Sequence, residues 1–229
     1  MRFHEKVGLL RSLRPDVAVV AECACPEVLL RRAPAIGTTG FEWTGARPSK
    51  GLAVLAFGAW RLEREAAVPR HLGNVLPVRV EGPASFRLLA IWHAPRRRRS
   101  GSPRDLPLGT ALEVLTPFLA ERPVVVAGDF NRALLTSRRD GSRAPSRLAR
   151  RIEAMGLASA YHAARGVALG EEPEPTLFVH RGLSWRRHVD FVFVGRETLP
   201  SLRAVGVGPA LPWILASDHA PVVVDVETA

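Results

Sequence analysis

The run Pro123-Val124-Val125-Val126-Ala127-Gly128-Asp129-Phe130-Asn131 is an apolar, β-branched stretch that ends, with no polar spacer, in a carboxylate and a carboxamide. Such a run predicts a buried strand that delivers Asp129 and Asn131 to its C-terminal end. Near the other end of the chain, Ser217-Asp218-His219 stands just before a second apolar run, Pro221 to Val226, and sets an acid and an imidazole at a strand mouth. Glu22 closes the apolar run Val17 to Ala21, and Asp190 lies inside Val189 to Val194. Carboxylates in such places are costly unless they are paired, protonated or bound to a cation. Acids with amide and water co-ligands suit Mg²⁺ or Mn²⁺ better than zinc, for which sulfur and nitrogen ligands are expected. The Asp129 and His219 segments are therefore expected to form one active site.

The elements that must position these residues follow from periodicity. Val7, Leu10 and Leu13 share one face of a helix predicted over Glu5 to Leu13, which Arg14-Pro15-Asp16 stops. A Pro- and Arg-containing excursion reaches Pro48, and strands are predicted at Gly51 to Phe57, Trp60 to Arg64, Val75 to Val80 and Phe86 to Trp92. Leu108 to Leu119 and Arg147 to Met155 have helical spacing, while Val189 to Val194, Arg203 to Val207 and Val222 to Val226 read as strands. Helices punctuating a strand-dominated chain predict an α/β fold of two packed, mostly antiparallel β-sheets flanked by helices, a four-layer α/β sandwich with its chemistry on loops at one edge.

Composition narrows the partners. At 229 residues the chain is long enough to bury a substantial core, and its apolar content of 47% is that of a globular protein. It lacks an apolar stretch of about 20 residues and the apolar centre of a signal peptide, so a cytoplasmic location is expected. The net charge of +10 points to an anionic partner, nucleic acid first. Only Lys6 and Lys50 are lysines, and the Arg-, Ala- and Pro-rich usage assigns part of that excess to coding bias. Cys23 and Cys25 stand too close for an easy disulfide and are too few for a zinc site, so reduced structural thiols are expected.

Four motifs carry a resemblance: Val19-Val20-Ala21-Glu22, Gly128-Asp129-Phe130-Asn131, His188-Val189-Asp190-Phe191 and Ser217-Asp218-His219-Ala220-Pro221. In order and spacing they resemble the endonuclease/exonuclease/phosphatase superfamily, which includes exonuclease III and pancreatic deoxyribonuclease, over nearly the whole chain from Lys6 to Val226. The resemblance implies a Mg²⁺- or Mn²⁺-dependent phosphodiester hydrolase, a nuclease acting on DNA first. It makes Glu22 the metal-binding glutamate and Asp218 a second acid near that metal. Asp129 resembles the aspartate that orders or deprotonates the attacking water, and Asn131 the carboxamide that holds the phosphate. His219 resembles the histidine that polarises the scissile phosphate, with Asp190 as its carboxylate partner. His93 has two readings, an acid for the leaving oxygen or a strand-end histidine bound to backbone.

Members of that superfamily usually open with a strand bearing an asparagine, ahead of the helix read at Glu5 to Leu13. No such strand precedes that helix here, so the single domain spanning 1–229 is expected to be truncated at its N-terminus, with a start upstream of Met1 or with weakened activity. Two further classes stay open: hydrolysis of a phosphorylated sugar or lipid head group, and a non-catalytic basic module that binds nucleic acid. Arg96 to Arg99 fit either a phosphate backbone or a solvated loop. Core packing is expected for Trp185 and Trp213, with stacking on a base or sugar as the alternative.

Overall fold

Strands buried on both faces organise each half of the chain. The computed structural model describes residues 3–65, 75–93, 107–137 and 143–227. These divide into two units, Met1–Val124 and Val125–Ala229.

In the first unit the order is α1 (Val7–Ser12), β1 (Val17–Cys23), α2 (Pro26–Arg32), β2 (Gly40–Arg47), β3 (Lys50–Ala56), β4 (Arg61–Arg64), β5 (Val75–Glu81), β6 (Ser85–Trp92), α3 (Leu108–Val114) and α4 (Thr116–Ala120). Antiparallel pairing puts β3 between β1 and β2, and a second layer pairs β4, β5 and β6. Every residue of β3 after Lys50 is buried, because one face meets the second sheet and the other an α1/α2 layer through Ala53, Leu55, Val7 and Leu29. This is the expected packing of antiparallel sheets with helices outside.

Two sequence expectations are corrected here. The excursion before Pro48 contains α2 and β2, whose alternation of Phe41 and Trp43 with polar neighbours is hidden among glycines. Those glycines are required: a Cβ on Gly45 or Gly51 would lie 2.5 Å from the Trp43 indole. The helix read over Leu108 to Leu119 is instead two, broken at Leu115, with Pro117 in the first turn of α4 where its lack of an N–H costs nothing.

The second unit runs β7 (Val124–Asp129), β8 (Leu135–Ser137), β9 (Arg143–Pro145), α5 (Arg147–Ala154), β10 (Leu157–Ser159), α6 (Ala160–Arg165), β11 (Leu177–Phe178), β12 (Arg186–Arg187), β13 (Asp190–Gly195), β14 (Leu202–Val207), α7 (Ala210–Ala216) and β15 (Val222–Val226). Here β13 lies between β10 and β7, all antiparallel, and β14 pairs with β15. Helix α6, capped by Ser159, lies against β10, β13 and β14 and buries Tyr161 completely. Both cysteines are buried free thiols; burial, then the neighbouring Cys25, pushes the Cys23 thiol up to about 12, which keeps it protonated and inert. Among the described residues no helix is long and apolar enough to cross a membrane. The basic run Arg96 to Arg99 and the His93-Ala94-Pro95 segment beyond its histidine lie outside the described residues.

Candidate active site

Register brings the acids of the second unit together. In the β7–β13 pair Asp129 stands directly opposite Asp190, the last and first residues of their strands. Like charges in that relation repel, and His219 answers the repulsion: its Nδ1 lies 2.8 Å from Asp190 Oδ2. Ligand atoms of Asp129, Asp190 and His219 all lie within 4.8 Å of one another. Burial alone would push the His219 imidazole down, but the charge and hydrogen bond of Asp190, with Asp129 and Asp218 behind it, carry it up to about 9. His219 is therefore an imidazolium at neutral pH, donating Nδ1–H to Asp190, which orients Nε2 as a second donor.

Asp129 is only 6% exposed and held from two directions. Its Oδ1 accepts the Asn131 backbone N–H at 2.8 Å and its Oδ2 the Asn131 carboxamide at 2.9 Å. Asn131 makes both bonds because its φ is +50°, a left-handed conformation that Asn tolerates. Gly128, at φ +140°, occupies backbone space closed to other residues. Between the acid and the amide, Phe130 turns into the core edge-on to Phe191 and Phe193, at 5.9 and 5.4 Å between ring centroids. The Gly-Asp-Phe-Asn string is thus a strand end, a core anchor and a clamp in consecutive residues.

Asp218 adjoins the pair. Its Oδ1 is buried without a hydrogen-bond partner among the described residues, an arrangement that suits a bound cation. Ser217 Oγ accepts the His219 N–H at 3.0 Å and shapes the turn.

Sequence reasoning missed Thr176, which is fully buried. Its Oγ accepts the Val189 and Asp190 amides at 2.9 and 3.1 Å, and its backbone bonds Arg187 and Ala220. One residue therefore ties the Asp190 strand to the His219 turn. Thr176→Val strands the buried Val189 N–H and the half-buried Asp190 N–H, and urea unfolding is expected to show a loss of about 1–3 kcal/mol, while Thr176→Ser keeps most of the stability.

Glu22 and His93 belong to the first unit. The β1–β3 register slips between Ala21 and Cys23, so Glu22 occupies a bulge at φ +59°. Bulges re-aim side chains, and strained backbone of this kind collects at functional positions. The Cys23 carbonyl accepts from the Trp43 indole at 3.1 Å, and Lys50 Nζ lies 2.9 Å from Glu22 Oε1. His93 follows β6 and is half-buried. Of the two tryptophans assigned to the core, Trp213 is buried, but Trp185 stands 70% exposed on the β11–β12 hairpin.

In the second unit the Asp190–His219 pair stands opposite Asp129 and Asn131 at strand ends, within antiparallel sheet flanked by helices. No protein-family model matches the chain, and no curated protein does. Solved structures do. The endonuclease domain of TRAS1, a telomere-specific non-LTR retrotransposon, superposes with a TM-score of 0.65 at 17% identity, over 98% of this chain and 92% of that one. NExo from Neisseria, a 3' phosphatase bound to a product DNA hairpin, gives 0.63 at 18% identity over 99% and 96%. Danio rerio (D. rerio) TDP2, complexed with a single-strand DNA product, gives 0.64 at 14% identity over 100% and 94%. At these identities the likeness establishes the fold.

Proposed function

We propose that the protein is a divalent-metal-dependent phosphodiester hydrolase whose substrate is DNA. The observation that carries this reading is the Asp190–His219 pair set across one strand register from the Asp129–Asn131 clamp. The imidazolium of His219 donates from Nε2 to a non-bridging oxygen of the phosphate, and Asp190 holds the ring in place. Asp129, fixed at both oxygens by Asn131, orders the attacking water and takes its proton. The Asn131 carboxamide positions that base and contacts the phosphate. Asp218 is proposed as the acid of the second unit that holds Mg²⁺ or Mn²⁺, which when bound would neutralise phosphate charge as a Lewis acid, and for Glu22 of the first unit the resemblance alone supplies a metal-binding role.

Three features support a nucleic-acid substrate: the net charge of +10, the exposed Trp185 as a stacking surface, and solved structures of the same fold that carry DNA products. The test is cleavage of supercoiled plasmid with Mg²⁺ or Mn²⁺ and with EDTA. Nicking that EDTA abolishes is expected. Silence on DNA, RNA and small phosphodiesters with both metals would overturn the reading and leave the basic binding module. In the same assay Glu22→Gln is expected to raise the Mg²⁺ concentration for half-maximal rate at least tenfold, with a parallel loss of Mn²⁺ affinity by electron paramagnetic resonance.

A further inference from the structure

We infer that Arg132, Arg143 and Arg187 form an anion site beside the catalytic clamp, and that it takes a phosphate group of the substrate other than the one attacked. The three line one cleft together with Asn131 and His188. They arrive there from separate places: Arg132 directly follows Asn131, Arg143 opens β9, and Arg187 closes β12.

Three guanidiniums in one cleft repel each other unless acids intervene. Among the described residues none of the three forms an ion pair, although acids neutralise Arg165, Arg196 and Arg203 elsewhere in this unit. The cost is visible at Arg187, whose guanidinium is held below the ordinary arginine range by burial and then by the charges of Arg132 and Arg143. A concave site with uncompensated charge matches an absent anion. Forked guanidiniums select phosphate, whose several oxygens accept paired N–H donors.

The chemistry is a phosphate dianion, supplied either by the terminal phosphate of a nucleic-acid strand or by a small phosphorylated molecule. Calling it part of the substrate rests on the proposed phosphoester hydrolysis; the binding itself does not.

Inorganic phosphate is the probe, titrated calorimetrically into metal-free protein. Wild type and Asp129→Asn are expected to bind it alike, and Arg187→Met and Arg143→Met to weaken it at least tenfold. Arg143 is exposed, so its replacement leaves the fold intact. The apo melting temperature of Arg187→Met should equal or exceed that of wild type, with the phosphate-induced rise lost, because the change removes a repelled charge. No binding to wild type, or binding unchanged in both arginine variants, overturns the site even if the protein cleaves DNA. Binding lost in Asp129→Asn as fully as in Arg187→Met also overturns it, by moving the anion to the catalytic clamp. The source is read from competition: displacement of phosphate by a 5'- or 3'-phosphorylated oligonucleotide but not by its hydroxyl-ended twin assigns a strand terminus. Displacement by sugar phosphates alone assigns a small molecule.

Discussion

Asp129→Asn is expected to cut turnover by roughly 10²–10⁴-fold, the range spanned by a positioned general base, while the melting temperature stays within a few degrees of wild type. The two readouts part for a structural reason. Asparagine keeps the shape of Asp129 and one carbonyl oxygen, so one of the two hydrogen bonds from Asn131 survives. The other is lost, at a net cost of about 0.5–1.5 kcal/mol. Against that loss, the variant removes a negative charge directly opposite Asp190, and the relieved repulsion offsets it. Stability therefore barely moves, whereas a carboxamide accepts no proton from water. Steady-state kinetics on plasmid or oligonucleotide, alongside thermal melts, decides the matter. A variant that loses activity only in proportion to folded protein would make Asp129 a structural acid.

Most of the strand ends that carry the candidate residues were legible because each one borders an uninterrupted apolar run, and such runs have few alternatives to buried strand. Asp129, Asp190 and His219 converge as read, since register in a sheet with buried faces is strongly specified. Three kinds of feature were not legible. Thr176 acts through two backbone amides brought near by tertiary pairing, and a threonine before an apolar pair carries no local sign of that. The Glu22 bulge is a local failure of the β1–β3 ladder beside the Cys23–Gly51 pair, which no run of residue types announces. The arginine cleft gathers residues dispersed along the chain, so a charge count reports their number and not their convergence. Short elements such as β2 and α6 were hidden for a related reason: six to eight residues with mixed polarity hold their shape through tertiary packing, which overrides weak propensity. Trp185 shows the opposite limit, a large aromatic assigned to the core by its type and left outside by the hairpin that carries it.

The second large effect concerns the Asp190–His219 pair. His219 is raised to about 9 against an ordinary histidine value of 6.5, so the native state of the metal-free protein binds its proton more tightly than the unfolded chain does. The resulting stability is fully present below pH 6.5 and is lost as pH rises through about 9, and on the order of 1–3 kcal/mol should disappear across that window. Asp190→Asn inverts the trend. With the carboxylate gone, burial, the largest influence on this imidazole, lowers its pKa, and the melting temperature in EDTA should hold level or rise between pH 6.5 and 9. Titration of the His219 ring followed by NMR reads the same shift directly. Catalysis should follow the proton: Asp190→Asn leaves a neutral ring of unfixed tautomer at pH 7.5, and a fall of roughly 10²–10⁴-fold in kcat is expected. Because Asp190 acts through His219, the double variant Asp190→Asn/His219→Ala should be little worse than His219→Ala alone. Additive losses, or an unshifted His219 titration in Asp190→Asn, would break the pair into two independent residues and remove the charge logic on which the proposed phosphate contact rests.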